Sequence, residues 1–193
     1  MKAAMAVLSC LLLSVQAHAA VLTYSAFLDG PNESPPNASP GTGEAVVIVN
    51  TTDNTMHVHV DFSGLLGTTT ASHIHCCTAV PDAGTAGVAT TTPTFAGFPL
   101  GVTSGTYDAL LDMTMSSSYN PAFISAEGGT PASAEAALFA GMAAGETYLN
   151  IHSSVVPGGE IRGFLSLDAP EPGTFLWAGA ALVALAVRRR RAA

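Results

Sequence analysis

Residues 55–63 alternate without a break: Met56, Val58, Val60 and Phe62 fall on one side of an extended chain, His57, His59 and Asp61 on the other. A period of two fits a half-buried strand and no helix, so this segment commits its surroundings to a sheet. The same rhythm, in a stretch dominated by Val, Thr, Gly and Pro, predicts further strands at residues 21–28, 44–50, 71–75, 88–91, 105–115, 147–152 and 160–167. Asp53-Asn54 supplies a turn that folds 44–50 and 55–63 into a hairpin. One segment departs from the pattern. Thr130 as N-cap, Pro131 at the first helical position and Gly141 as terminator predict a short helix over 132–140. Short strands, Gly/Pro turns and one helix together predict an all-β domain over residues 20–168, a two-sheet sandwich or flattened barrel.

The two ends are of another kind. Lys2, an apolar run over 3–15 and the small-x-small triplet Ala17-His18-Ala19 read as a secretory signal peptide over residues 1–19. At the far end, Pro170-Glu171-Pro172 precedes an apolar run over 175–187 and then Arg188, Arg189, Arg190 and Arg191. Thirteen apolar residues reach about 20 Å as a helix, short of the roughly 30 Å hydrocarbon core. The order of parts resembles the PEP-CTERM sorting signal of Gram-negative bacteria, here over residues 169–193. That resemblance implies transient anchoring in the inner membrane with the arginines held inside, processing by an exosortase, and release to the cell surface or exopolysaccharide matrix. A plain C-terminal anchor is the simpler alternative.

With both ends set aside, the central domain holds a single cation, Arg162, against thirteen acids, a net charge of about −12. A nucleic-acid partner is excluded on that balance, since phosphate neutralisation needs clustered Lys and Arg. Disorder is excluded too, because only 10% of residues are charged and 48% are hydrophobic. The central cysteines are the adjacent pair Cys76 and Cys77. In an oxidising compartment they can close on each other or pair between chains; reduced, they could bind a metal.

Three stretches resemble the CHRD domain, named for chordin. The first is Phe27-Leu28-Asp29-Gly30 with Glu33-Ser34-Pro35-Pro36 and Gly41-Thr42-Gly43; the second is Phe62-Ser63-Gly64-Leu65 with Ser72-His73-Ile74-His75. The third is Tyr148-Leu149-Asn150-Ile151-His152 with Pro157-Gly158-Gly159-Glu160-Ile161-Arg162-Gly163. The chain departs from the family pattern in placing Cys76-Cys77 after His75 and in the long stretch 92–145. The resemblance implies an immunoglobulin-like β-barrel similar to copper/zinc superoxide dismutase, and no general activity.

On a strand His73 and His75 share one face while Ile74 faces the core, and Asn150 and His152 likewise oppose Leu149 and Ile151. His73, His75 and His152 are therefore expected together on one outer surface, as copper-binding histidines are in the dismutase fold that this arrangement resembles. Imidazoles suit copper or zinc, with Cys76 and Cys77 as additional soft ligands if reduced. The alternative is a structural role for the same histidines. His57 and His59 read as a solvated strand face. Glu160 and Arg162 share a face, with Arg162 expected to anchor carboxylates. No bridging histidine, zinc loop or active-site arginine of a dismutase is present, and no serine-hydrolase or phosphate-loop motif occurs, so no catalytic residues are assigned. The reading is a non-enzymatic, exosortase-processed envelope or matrix module; the alternative is an extracytoplasmic copper protein with a surface histidine cluster, and a redox enzyme is more remote still.

Overall fold

The computed structural model describes residues 21–168; the readings of residues 1–19 and 169–193, including Pro170, Glu171, Pro172 and Arg188 to Arg191, lie outside the described residues. Within 21–168 the fold is all-β, a curled antiparallel sheet with few helices. The strands are β1 (Val21–Asp29), β2 (Thr42–Asn50), β3 (Thr55–Ser63), β4 (Thr69–His75), β5 (Gly105–Asp112), β6 (Tyr148–Ser153), β7 (Ile161–Phe164) and β8 (Ser166–Leu167). Their order is β4-β6-β7-β1-β2-β3-β5, with β8 paired to β1. Among the described residues no helix is long and apolar enough to cross a membrane.

Alternation dictates the core. Met56, Val58 and Val60 of β3 are fully buried, as are Val47 and Val49 of β2, Leu28 of β1, Ile74 of β4, Leu149 and Ile151 of β6, and Ile161 of β7. The hairpin turn closes with Asn54 at φ 51°, a left-handed value that asparagine tolerates. The Asn50 side chain accepts from Thr52 N at 2.9 Å across the same turn.

β4 and β5 end the strand order without pairing to each other. The segment from 87 to 102 covers the free side of β4 instead. Ala89 N donates to Ile74 O at 2.9 Å, Phe95 N to Ser72 O at 3.0 Å and Gly101 N to Thr69 O at 2.9 Å. Phe95 and Phe98 then pack on Tyr107 of β5, with ring centroids 5.4 and 5.5 Å apart, and Phe98 stacks on Phe62 of β3 at 5.6 Å. Aromatic rings thus fill the seam that strands leave open.

Residues 88–91 form isolated bridges rather than the expected strand, Val88 with His75 and Thr90 with Tyr119. The Thr90 hydroxyl accepts from Ile74 N at 2.9 Å, taking a place that a ladder carbonyl would hold. The expected strand 160–167 breaks at Leu165, whose side chain is buried and whose N–H turns to Thr147 O at 3.0 Å. The expected 105–115 strand ends at Asp112, whose carboxylate accepts from Thr114 N and Oγ1 at 2.9 and 2.6 Å.

Two α-helices are described in the 92–145 stretch. α1 (Pro121–Ala126) is capped by Asn120, which accepts from Ala122 N at 3.0 Å; its six residues carry too little periodicity to be read from sequence. α2 (Pro131–Ala143) has the expected Thr130 cap, completed by a reciprocal bond from Thr130 N to the Ser133 hydroxyl. It runs past Gly141, and the left-handed residue beyond its end is Gly145, φ 72°.

Candidate metal centre

The register sets the site. His73 of β4 lies opposite Asn150 of β6, Asn150 opposite Arg162 of β7, and Arg162 opposite Asp29 of β1. One row of side chains therefore crosses four strands on the face away from Ile74, Leu149 and Ile151. In the flanking rows His75 pairs with Tyr148 and His152 with Ala71. The Nδ1/Nε2 ligand atoms of His73, His75 and His152 come within 4.8 Å of one another.

The face is not an outer surface, contrary to the sequence expectation of a surface cluster. His73 and His75 are 6% and 8% exposed, and Asn150 2%. Connecting segments fold over the row and present carbonyls to it. His75 Nδ1 lies 2.9 Å from Ala86 O, and His152 Nδ1 lies 2.9 Å from Pro157 O. The His73 ring bonds the backbone of Pro93, which has no N–H to give and so accepts. A neutral imidazole has one N–H, so with Nδ1 donating, Nε2 of His75 and of His152 is a bare lone pair. His152 Nε2 is buried with no hydrogen-bond partner at all. Rings oriented by a carbonyl on one nitrogen with the other pointing inward have the arrangement that supports a metal.

Electrostatics keeps the rings neutral. Burial foremost, then the neighbouring His75 and His152, hold His73 down to about 3. Burial also lowers His75 and His152, against the bonds to Ala86 and Pro157. Neutral imidazole is the form that binds copper or zinc.

Around the histidines stands a second set of residues. Tyr148 stacks on His75 with centroids 4.6 Å apart, and the Arg162 guanidinium lies over the Tyr148 ring, 4.7 Å from its centroid. Arg162 donates to Asn32 O and, at 3.0 Å, to Gly84 O, and its Nε is 3.9 Å from Glu33 Oε2. Glu33 is 6% exposed; burial raises it to about 7 despite Arg162, and its Oε1 has no partner. Asn150 joins Glu33 to the cluster: it helps hold the Glu33 carboxyl down against burial, and its Oδ1 lies 3.1 Å from His75 Nε2. Neither Glu33 nor Asn150 has a role assigned from sequence alone. The available signal for Asn150 was its place two residues before His152 on one strand face.

Glu160, expected beside Arg162, serves another purpose. It accepts from Ser39 Oγ at 2.6 Å, Leu66 N at 2.5 Å and Gly67 N at 3.3 Å, tying two loops to the sheet. Cys76 and Cys77 are joined to each other in a disulfide and seat against Gly141 of α2, so they offer no thiolate to the histidines. His57 and His59 stand on the solvent-facing side of β3, at 3.0 and 2.9 Å from the two oxygens of Asp108.

A CHRD-domain family model matches residues 24–165. The chain belongs to the CHRD family. CHRD domains are typically extracellular and known as non-enzymatic binding or structural modules. The CHRD segments distinguished in the sequence, far apart along the chain, meet here: Glu33 from the first, His73 and His75 from the second, Asn150, His152 and Arg162 from the third. Neither the curated proteins nor the solved structures compared with this CHRD chain gave a match.

Proposed function

We propose that this CHRD protein is an exported, non-enzymatic module of the bacterial envelope or exopolysaccharide matrix whose β-domain binds one copper or zinc ion at His73, His75 and His152. The observation that carries the metal reading is the buried, unpartnered lone pair of His152 Nε2, beside the ligand atoms of His73 and His75. An unpaired buried polar atom costs about 1–3 kcal/mol, and a bound cation removes that cost. Chemistry supports copper or zinc, both of which take imidazole ligands. Export rests on the signal peptide and on the PEP-CTERM resemblance of residues 169–193, with an exosortase as the processing partner.

The test is elemental analysis of the full-length chain after export. About one copper or zinc per chain is expected from the wild type, and none from a His73→Ala/His152→Ala double variant that keeps its fold. Equal metal in both, or none in the wild type, would remove the metal reading. Replacing Arg188 to Arg191 by Gln is expected to leave the protein in the inner membrane, and unchanged release would overturn the sorting reading.

A further inference from the structure

Asn150 stands at the centre of the cluster, in the row between His73 and Arg162. Its Oδ1 lies 3.1 Å from His75 Nε2, and His73 Nδ1 lies 3.2 Å from that same nitrogen. His75 gives its one proton to Ala86 O, so its Nε2 is an acceptor facing two further atoms. An amide oxygen against a lone pair is repulsive as it stands. Reversing the amide would relieve the clash by letting its NH₂ donate to His75. Glu33, when ionised, opposes that reversal: a carboxylate only accepts, so it draws the Asn150 NH₂ and turns the carbonyl toward the histidines. With Glu33 ionised, a cation among the four side chains reconciles the contact.

The spacing agrees with one. A tetrahedral ion with bonds of about 2.0 Å holds its ligand atoms about 3.3 Å apart. Two of the edges here, 3.1 and 3.2 Å, are already at that length. The third imidazole, within 4.8 Å, has only to swing inward. Resting on the three-histidine reading above, we infer that Asn150 Oδ1 is the fourth ligand of the centre and that Glu33 is the positioning residue that fixes its amide. Three imidazoles and one amide oxygen make a closed N₃O tetrahedron, which suits Zn²⁺ over Cu²⁺, which favours a tetragonal set, and over Cu⁺, which prefers sulfur donors.

The probe is Co²⁺ added to the metal-free full-length protein, read by visible absorption and by competition for affinity. The wild type is expected to bind one Co²⁺ with the intense bands of a four-coordinate site. Asn150→Ala should keep the stoichiometry through the histidines, change the spectrum, and bind about tenfold or more weakly. Glu33→Gln should weaken binding as well, since a glutamine side chain can face Asn150 either way round and releases the amide. The double variant Asn150→Asp/Glu33→Gln should restore both spectrum and affinity, because a carboxylate presents oxygen at either end and the amide introduced at position 33 can donate to it; a role confined to folding would not be rescued. If Asn150→Ala matches the wild type in spectrum and affinity, Asn150 is not a ligand while the histidine centre stands. If the wild type binds no Co²⁺, the histidine reading falls and takes this inference with it.

Discussion

Gly141 occupies an interior turn of α2, where glycine costs about 1 kcal/mol relative to alanine. Its lack of a side chain has a local cause: a Cβ there would stand 2.5 Å from the sulfur of Cys76 and 2.5 Å from that of Cys77. Gly141→Ala is therefore expected to lower stability by about 1–3 kcal/mol through overpacking, despite the gain in helix preference, as a shift in the urea midpoint. With the cysteines replaced by alanine the loss should shrink or change sign. Side-chain direction at the candidate centre was legible from sequence, because strand alternation alone puts His73, His75 and His152 on one face. Their burial was not, since the carbonyls of Ala86, Pro93 and Pro157 come from segments with no periodicity. Glu33 was hidden for the same reason, as a chain turn delivers it to Asn150 from more than a hundred residues away.

Among the elements, the seam between β4 and β5 is the least strand-like part of the barrel. Phe95 is fully buried there against Tyr107, on a segment without regular structure. Phe95→Ala is expected to cost about 3–5 kcal/mol, and hydrogen exchange should rise first at Ser72 and Ile74, whose edge positions the segment covers. Equal acceleration across all strands would show that the seam does not open by itself. The alternating strands β1, β2 and β3 were readable to within a residue or two of their ends. Their neighbours at the seam were not, because Thr90 and Thr94 hydroxyls take the hydrogen bonds that mark a ladder, at 2.9 Å from Ile74 N and Ser72 N.

For the molecule as a whole, acid should act mainly through the buried histidines. His73, His75 and His152 are depressed in the fold, so below the usual imidazole value of 6.5 the unfolded chain binds protons that the folded one refuses. Their contribution falls as pH drops from 6.5 toward the value of about 3 held by His73. Glu33 works the other way between 4.5 and about 7, where the fold keeps its proton. His59, raised by Asp108 and Asp61, also favours the fold in acid, but it is solvent-exposed and its pairs are screened. The three desolvated imidazoles, two of them buried, outweigh these two. The metal-free protein is expected to melt roughly 5 °C lower at pH 5 than at pH 7, by circular dichroism. A flat profile would mean that the cluster opens to solvent before the barrel unfolds.

Between residues 20 and 168 there is no lysine, and Arg162 is the only arginine. It is 5% exposed and lies on β7, between β6 and β1. Trypsin thus has one bond to cut within this stretch, that between Arg162 and Gly163, and can reach it only when the middle of the sheet comes apart. The residue that braces Tyr148 and Glu33 doubles as a built-in reporter: the appearance of a single pair of fragments counts openings of the barrel, with no label and no background from loops.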